Sequence, residues 1–148
     1  MFVSIFGSYS MLMLDRVAYS PERLAILGEE ASKGYYSTED RVGLVSDAFT
    51  LARAGSGKTS GGLNLISKLG NEEEYLVWST IGAGIAKISA TWWEQPEAVR
   101  DALDKLRVEL FKPIVQKMGY EHHENDEPST KELRELAVST CAAAKDAE

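Results

Sequence analysis

Cysteine is nearly absent: Cys141 is the single one in 148 residues. One thiol can neither close a disulfide within one copy of the chain nor build a four-cysteine zinc site, and a reducing compartment is favoured. Cys141 lies among small residues in Val138-Ser139-Thr140-Cys141-Ala142 and reads as a helix-core thiol. A nucleophilic cysteine needs an activating partner, and the sequence places neither histidine beside it. Positive charge is in deficit, with 16 Lys and Arg against 23 Asp and Glu and a net charge of −7. A duplex-binding domain concentrates cations, so nucleic acid is not an expected partner. Long apolar runs are missing as well. The opening MFVSIFGSYSMLML is uncharged, but it is shorter than the roughly 20 residues a bilayer requires. It also lacks the basic start and clear small-residue cleavage site of a secretory signal. These absences predict a soluble, cytoplasmic chain with no membrane partner.

What is present is an ordinary globular composition, 44% hydrophobic and 26% charged, which argues against wholesale disorder. At this length one domain with a real core is feasible. Arg16 to Tyr19 read as a short strand. Ser20 then caps a helix with Pro21 at its first position, Leu24, Leu27 and Ala31 on one face, and Gly34 as its stop. Ser37 and Asp40 form a capping-box pattern ahead of an amphipathic helix with Val42, Val45, Ala48, Phe49 and Ala52 inward. Gly55 ends that helix, and Gly43 inside it costs stability unless packing needs its small size.

A third helix is expected from Thr59 or Ser60 to Leu69, with Leu63, Ile66 and Leu69 inward and Gly70 closing it. Asn71 with Glu74 resembles another capping box. It precedes a largely buried helix with Tyr75, Trp78, Ile81, Ile85 and Ile88 on a broad stripe and Gly82 and Gly84 available for close helix contact. Pro96 opens a fifth helix carrying Val99, Leu103, Leu106, Leu110, Ile114 and Val115; Pro113 is expected to end or kink it. Gly119 terminates that element, and Glu121 to Pro128 form a polar loop. Ser129 with Glu132 marks a last helix with Leu133, Leu136, Ala137 and Cys141 inward. The fold class is therefore all-α: antiparallel helix pairs in a short HEAT-like superhelical or bundle array, with a possible short N-terminal strand.

Four patterns invite a chemical reading. Ala52-Arg53-Ala54-Gly55-Ser56-Gly57-Lys58-Thr59 ends like a phosphate-binding loop, but that loop needs glycine where Ala52 stands and a strand where a helix is expected. The stretch reads as a turn between helices, with Gly55 and Gly57 supplying left-handed geometry, Lys58 solvated, and Thr59 or Ser60 capping the next helix. Glu121-His122-His123-Glu124 holds both histidines, yet adjacent histidines do not match the i, i+4 pair of a zinc-peptidase helix. It reads as a solvated acidic loop. Of Trp92-Trp93 and Tyr35-Tyr36, one member each is expected in the core and the other at a boundary. Glu72-Glu73-Glu74 read as the acidic first turn of a helix. No residue is assigned a catalytic, cofactor-binding or metal-binding role.

Several segments, in order, resemble the C-terminal helical domain of gluzincin (M1-type) zinc aminopeptidases, particularly the cytosolic puromycin-sensitive group and its fungal relatives. RVAYSPERLAILGEEA, residues 16–31, is similar to their RVNYSPERL entry region, with Leu14-Asp15 where an aromatic pair is usual and Ala18 where asparagine is. EDRVGLVSDAFTLARAG, residues 39–55, is the most specific match. NEEEYLVWSTIGAGIAKI, WWEQPEAVRDALDKLRVELFKPIVQKMGY and LRELAV extend it over roughly residues 16–146.

The resemblance implies a noncatalytic helical scaffold that caps the catalytic cavity and shapes peptide access. Residues 1–19 would be the remnant of a preceding β-domain or an irregular segment, and residues 20–148 a partial helical domain. Partners would be the missing catalytic and β-domains, with peptide substrate in the intact enzyme. Zinc would belong to the full-length enzyme, held by an H-E-x-x-H motif and a further glutamate, none of which this sequence carries; no cofactor is expected for the chain itself. The alternatives are an independent helical-repeat interaction module and a small nucleotide-binding protein.

Overall fold

The computed structural model describes residues 16–144 apart from 122 and 124. Among them the fold is all-α, six helices packed as helix pairs. They fall into two compact units that divide between Asn71 and Glu72. Residues 16–19 contain one bridge position, Val17, and no strand.

The first unit holds α1 (Pro21–Ser32), α2 (Thr38–Arg53) and α3 (Thr59–Ser67). Its helix starts are written in the sequence. The Ser20 hydroxyl accepts the Arg23 amide at 3.3 Å, with Pro21 in the first turn. Ser37 and Asp40 satisfy each other reciprocally: the Asp40 amide donates to Ser37 Oγ at 3.1 Å and the Ser37 amide to Asp40 Oδ2 at 3.2 Å. The stops of α1 and α2 share one device. Gly34 and Gly55 take positive φ, 79° and 76°. The amides that follow fold back, Tyr35 to the Glu30 carbonyl and Ser56 to the Leu51 carbonyl. Both are Schellman closures that satisfy helix-end carbonyls.

α3 is the centre of this unit and packs on both α1 and α2. Leu65 and Ile66 of α3 and Leu69 just past its end are fully buried, and the core is completed by the buried Leu24, Leu27 and Ala31 of α1 and Val45, Ala48 and Leu51 of α2. Small residues set the approach. A Cβ on Gly28 would lie 3.1 Å from the Leu65 carbonyl oxygen, one on Gly61 3.1 Å from Leu24 Cδ1, and one on Gly62 3.2 Å from the Phe49 ring.

The second unit holds α4 (Tyr75–Thr91), α5 (Glu97–Met118) and α6 (Pro128–Ala143), and here α6 packs on both of the others. Val77, Trp78, Ile81 and Ile85 of α4, Phe111 and Val115 of α5, and Ala137 of α6 form the core. The Trp78 and Phe111 rings meet edge to face at 5.0 Å, a geometry favoured by the aromatic quadrupole. The Trp78 indole N–H donates to the Glu72 carbonyl at 3.0 Å, so its one polar atom is buried without loss. Gly82 lets α6 approach, since a Cβ there would sit 3.3 Å from Leu136 Cδ1.

Several boundaries differ from the sequence expectation. Thr59 is the first residue of α3, not its cap; Lys58 holds the cap position without a side-chain bond. Asn71 and Glu74 form no capping box. α4 starts at Tyr75, and Glu72 Oε1 instead accepts the amides of Glu73 and Glu74, both at 2.9 Å. The three glutamates therefore precede the helix rather than forming its first turn. α6 starts at Pro128 with Glu127 at the cap, so Ser129 is already inside it. Pro113 does not end α5, which continues to Met118. Pro113 is exposed, on the wet side of the helix. Gly57 has no positive φ, and a Cβ built there would meet Ala52 N at 3.4 Å, an ordinary contact distance, so the structure gives no reason for glycine at this position.

Candidate functional site

The Gly-Lys-Thr segment can be judged on its backbone. Arg53 is the last residue of α2, and residues 54–58 form the Schellman turn into α3. The Ser56 amide is committed to the Leu51 carbonyl at 2.9 Å, and the Gly61 amide to the Lys58 carbonyl at 3.0 Å. A phosphate cradle needs such amides converging on empty space; here two of them close the helix joint. Lys58 is exposed, as expected. Between this turn, α1 and the entry residues Val17–Tyr19 lies a depression of about 10 Å³, room for roughly one water molecule. It is far too small for a nucleotide, whose pockets run to about 300 Å³ and above.

The entry residues are fixed by charge. Arg16 Nη1 donates to Asp47 Oδ1 at 2.7 Å, and the Val17 amide to Asp47 Oδ2 at 3.4 Å, which tethers the chain to α2 ahead of α1. At the α1–α2 turn the Tyr36 hydroxyl donates to Glu30, and Arg41 donates to the Tyr36 carbonyl at 2.7 Å. The bond to Glu30 holds the Tyr36 phenol above its usual pKa, because deprotonation would set two negative charges in contact.

The histidine segment falls partly outside the described residues: His122 and Glu124 do. His123 is exposed, and its backbone amide donates to Asp126 Oδ2 at 2.9 Å. Among the described residues no cluster of three or more His, Cys, Asp or Glu side chains could hold a metal ion. The zinc of the resembling enzymes therefore finds no fitting donor set in them. Cys141 is buried in α6, as expected. Among the described residues no helix is long and apolar enough to cross a membrane.

Neither aromatic pair contributes a fully buried anchor. Trp92 and Tyr36 are half-buried, while Trp93 and Tyr35 are 67% and 72% exposed.

Sequence reasoning missed two buried guanidinium groups. Arg107 of α5 is 9% exposed; it donates to Ser89 Oγ of α4 at 2.5 Å and to Asp104 Oδ1 at 3.3 Å. Arg134 of α6 is 3% exposed. It donates through Nη1 to Asp126 Oδ2 at 2.7 Å and through Nε to the Met118 carbonyl, at the end of α5, at 3.4 Å. The His123 amide, followed by the Arg134 guanidinium, holds the Asp126 carboxyl below the usual carboxylate pKa. The overlooked signal is spacing. Arg107 lies between Leu103 and Leu110 on the apolar stripe, and Arg134 shares the period of Ala137 and Cys141. An arginine on such a stripe is buried only where the opposing element supplies acceptors.

Comparison with known proteins gives these features a context. The family model described as ERAP1-like C-terminal domain matches residues 12–148. Aminopeptidase 2, mitochondrial, of Saccharomyces cerevisiae is 37% identical over 131 residues, which is 88% of this chain and 14% of the yeast protein. Aminopeptidase 2 of Candida albicans is 35% identical over 133 residues, 90% of this chain and 14% of that protein. Puromycin-sensitive aminopeptidase of Caenorhabditis elegans is 26% identical over 129 residues, 87% of this chain and 14% of that protein. The chain thus spans about one seventh of the length of these relatives.

Proposed function

Because the chain belongs to the ERAP1-like C-terminal domain family, a domain of M1 aminopeptidases, we propose that it serves as a wall of such an enzyme: a helical scaffold that caps the catalytic cavity and governs which peptides enter. The observation that carries this reading is the family match across residues 12–148. In this reading residues 20–148 are the helical domain, and residues 1–19 belong to the segment ahead of it.

The division of labour follows from the chemistry. Hydrolysis of an N-terminal peptide bond on zinc requires a fixed ligand set and a general base, and these are assigned to the catalytic domain of the enzyme. The chain's own residues contribute rigidity. The Schellman turns, the capping box and the two buried guanidinium groups fix helix ends and loops, so the surface turned to a peptide keeps its shape. Its partners are then the catalytic and β-domains, with peptide contacted in the assembled enzyme, and we place the chain in the cytoplasm.

A chimera tests the proposal. The matching segment of yeast Aminopeptidase 2 is replaced by residues 16–144, and hydrolysis is measured on a short aminoacyl fluorogenic substrate and on a series of longer peptides. The short substrate is expected to keep its kcat/KM within about tenfold, while the length preference shifts. An active chimera whose length profile equals that of the yeast enzyme refutes the role in access. Turnover by the isolated chain with added zinc that co-purifies with it refutes the assignment as a noncatalytic wall.

A further inference from the structure

We propose that residues 16–19 form a strap laid from α2 to α1, that Asp47 is the latch at its head, and that freeing the latch releases the strap while α1, α2 and α3 stay folded.

The strap is held at its two ends by different helices. At its head Arg16 reaches α2: Nη1 donates to Asp47 Oδ1 at 2.7 Å and to Ser46 Oγ at 3.4 Å, and the Val17 amide donates to Asp47 Oδ2 at 3.4 Å. One carboxylate thus takes a side-chain donor and a backbone donor from consecutive residues, one on each oxygen. That fixes the direction of the chain there and not only its distance from α2. The Arg16 and Asp47 side chains are 35% and 22% exposed, so water and salt screen the pair less than they screen one fully at the surface. At its tail the strap runs into α1 through Ser20, whose hydroxyl accepts the Arg23 amide and whose carbonyl accepts the Leu24 amide at 2.9 Å. Between the ends, Val17, Ala18 and Tyr19 line the depression of about 10 Å³ together with Leu24 of α1 and Ala48 and Leu51 of α2, so little room is left beneath them. A pull on the chain ahead of Arg16 is then carried through Asp47 to α2 rather than spent in residues 16–19. The latch is nonetheless separable from the core. Asp47 is half-buried, while the buried residues of α2 are Val45, Ala48 and Leu51. Replacing Asp47 empties no core position, which is the condition for a local rather than global opening.

Trypsin on the full chain reads the latch, because the protease must take the Arg16 guanidinium into its own acidic pocket. It cannot do so while Asp47 holds that guanidinium. Asp47→Ala removes both acceptor oxygens and places the strongest helix former inside α2. The urea midpoint is therefore expected to change little, while cleavage after Arg16 speeds up about tenfold. Cleavage after Arg41, inside α2, reports unfolding of that helix and should keep its wild-type rate. A folded variant cut after Arg16 no faster than wild type overturns the latch. A collapse of the urea midpoint, or equal acceleration after Arg16 and Arg41, overturns the local release. Native-state hydrogen exchange on the unaltered chain needs no variant. The Val17 amide is expected to exchange about tenfold or more slowly than an unstructured amide; exchange at the unstructured rate refutes the strap.

Discussion

Two glycines in helices of the same three-helix unit should respond to the same substitution with opposite signs. Gly43 in α2 is exposed, and a Cβ built on it meets nothing within 4 Å. Alanine there removes backbone freedom from the unfolded chain and adds no clash, a gain of about 0.5–1 kcal/mol. Gly28 in α1 is buried, and its Cβ would lie 3.1 Å from the Leu65 carbonyl oxygen, 3.1 Å from Lys68 Cβ and 3.2 Å from Leu65 Cδ1. Two of these neighbours cannot simply rotate away. The Leu65 carbonyl accepts the Lys68 amide at 3.1 Å in the closing turn of α3, and Leu65 itself is fully buried. Overpacking of this kind costs about 1–3 kcal/mol, against a propensity gain of about 1 kcal/mol. Gly28→Ala is therefore expected to destabilise by up to about 2 kcal/mol where Gly43→Ala stabilises. Urea titration followed by far-ultraviolet circular dichroism reads the difference. With a slope of about 1–3 kcal/mol per molar, the two midpoints should separate by roughly 0.2 M or more, with Gly43→Ala the higher. Equal midpoints, or Gly28→Ala the more stable, would refute the inference that close backbone approach of α1 to α3 requires the missing side chain.

Trp78→Phe keeps an aromatic ring near Phe111 but removes the indole N–H that donates to the Glu72 carbonyl at 3.0 Å. It should cost about 1–3 kcal/mol, and Trp78→Ala about 3–5 kcal/mol; denaturation midpoints that leave the phenylalanine variant unchanged would show the indole bond to be immaterial. Stability should also fall with acid. Asp126, Glu73 and Glu22 all have folded-state pKa values below their ordinary ones, Asp126 through the His123 amide and then Arg134, Glu73 through Lys117, and Glu22 through its own backbone and Ser20. A depressed carboxyl contributes stability that is full above its unfolded pKa and is lost as pH drops through the folded one. Urea midpoints should thus decline from about pH 5 downward. Asp126→Asn should flatten that decline; a slope identical to wild type would remove Asp126 from the explanation.

Local chemistry was legible wherever the signal lay within a few residues. Ser20 before Pro21, and Ser37 three residues before Asp40, announce helix starts because the bonds they make close over one turn. Gly34, Gly55 and Gly119 announce stops because left-handed backbone suits glycine. The starts of α4 and α6 were misread because Asn71 and Ser129 carry the right side chains, while neighbouring backbone geometry set the boundary at Glu74 and Glu127 instead. The Gly-Lys-Thr segment was legible as a joint, since Ala52 breaks the nucleotide pattern. That Gly55, rather than Gly57, takes the left-handed conformation was visible only in the fold.

The sequence by itself therefore determined the all-α class, the helices in order, most of their inward faces and the family, because helical period, caps and segment order are local or linear properties. Tertiary structure decided which glycines are indispensable, which arginines are buried, and that Val77 and Phe111 rather than Ile88 and Leu106 reach the centre of the second unit. The reason is physical. A helix has one period but several sectors, and only the partner packed against it decides which sector loses water. A side chain such as Arg134 can be buried only when residues distant in the chain, here Met118 and Asp126, bring acceptors to it.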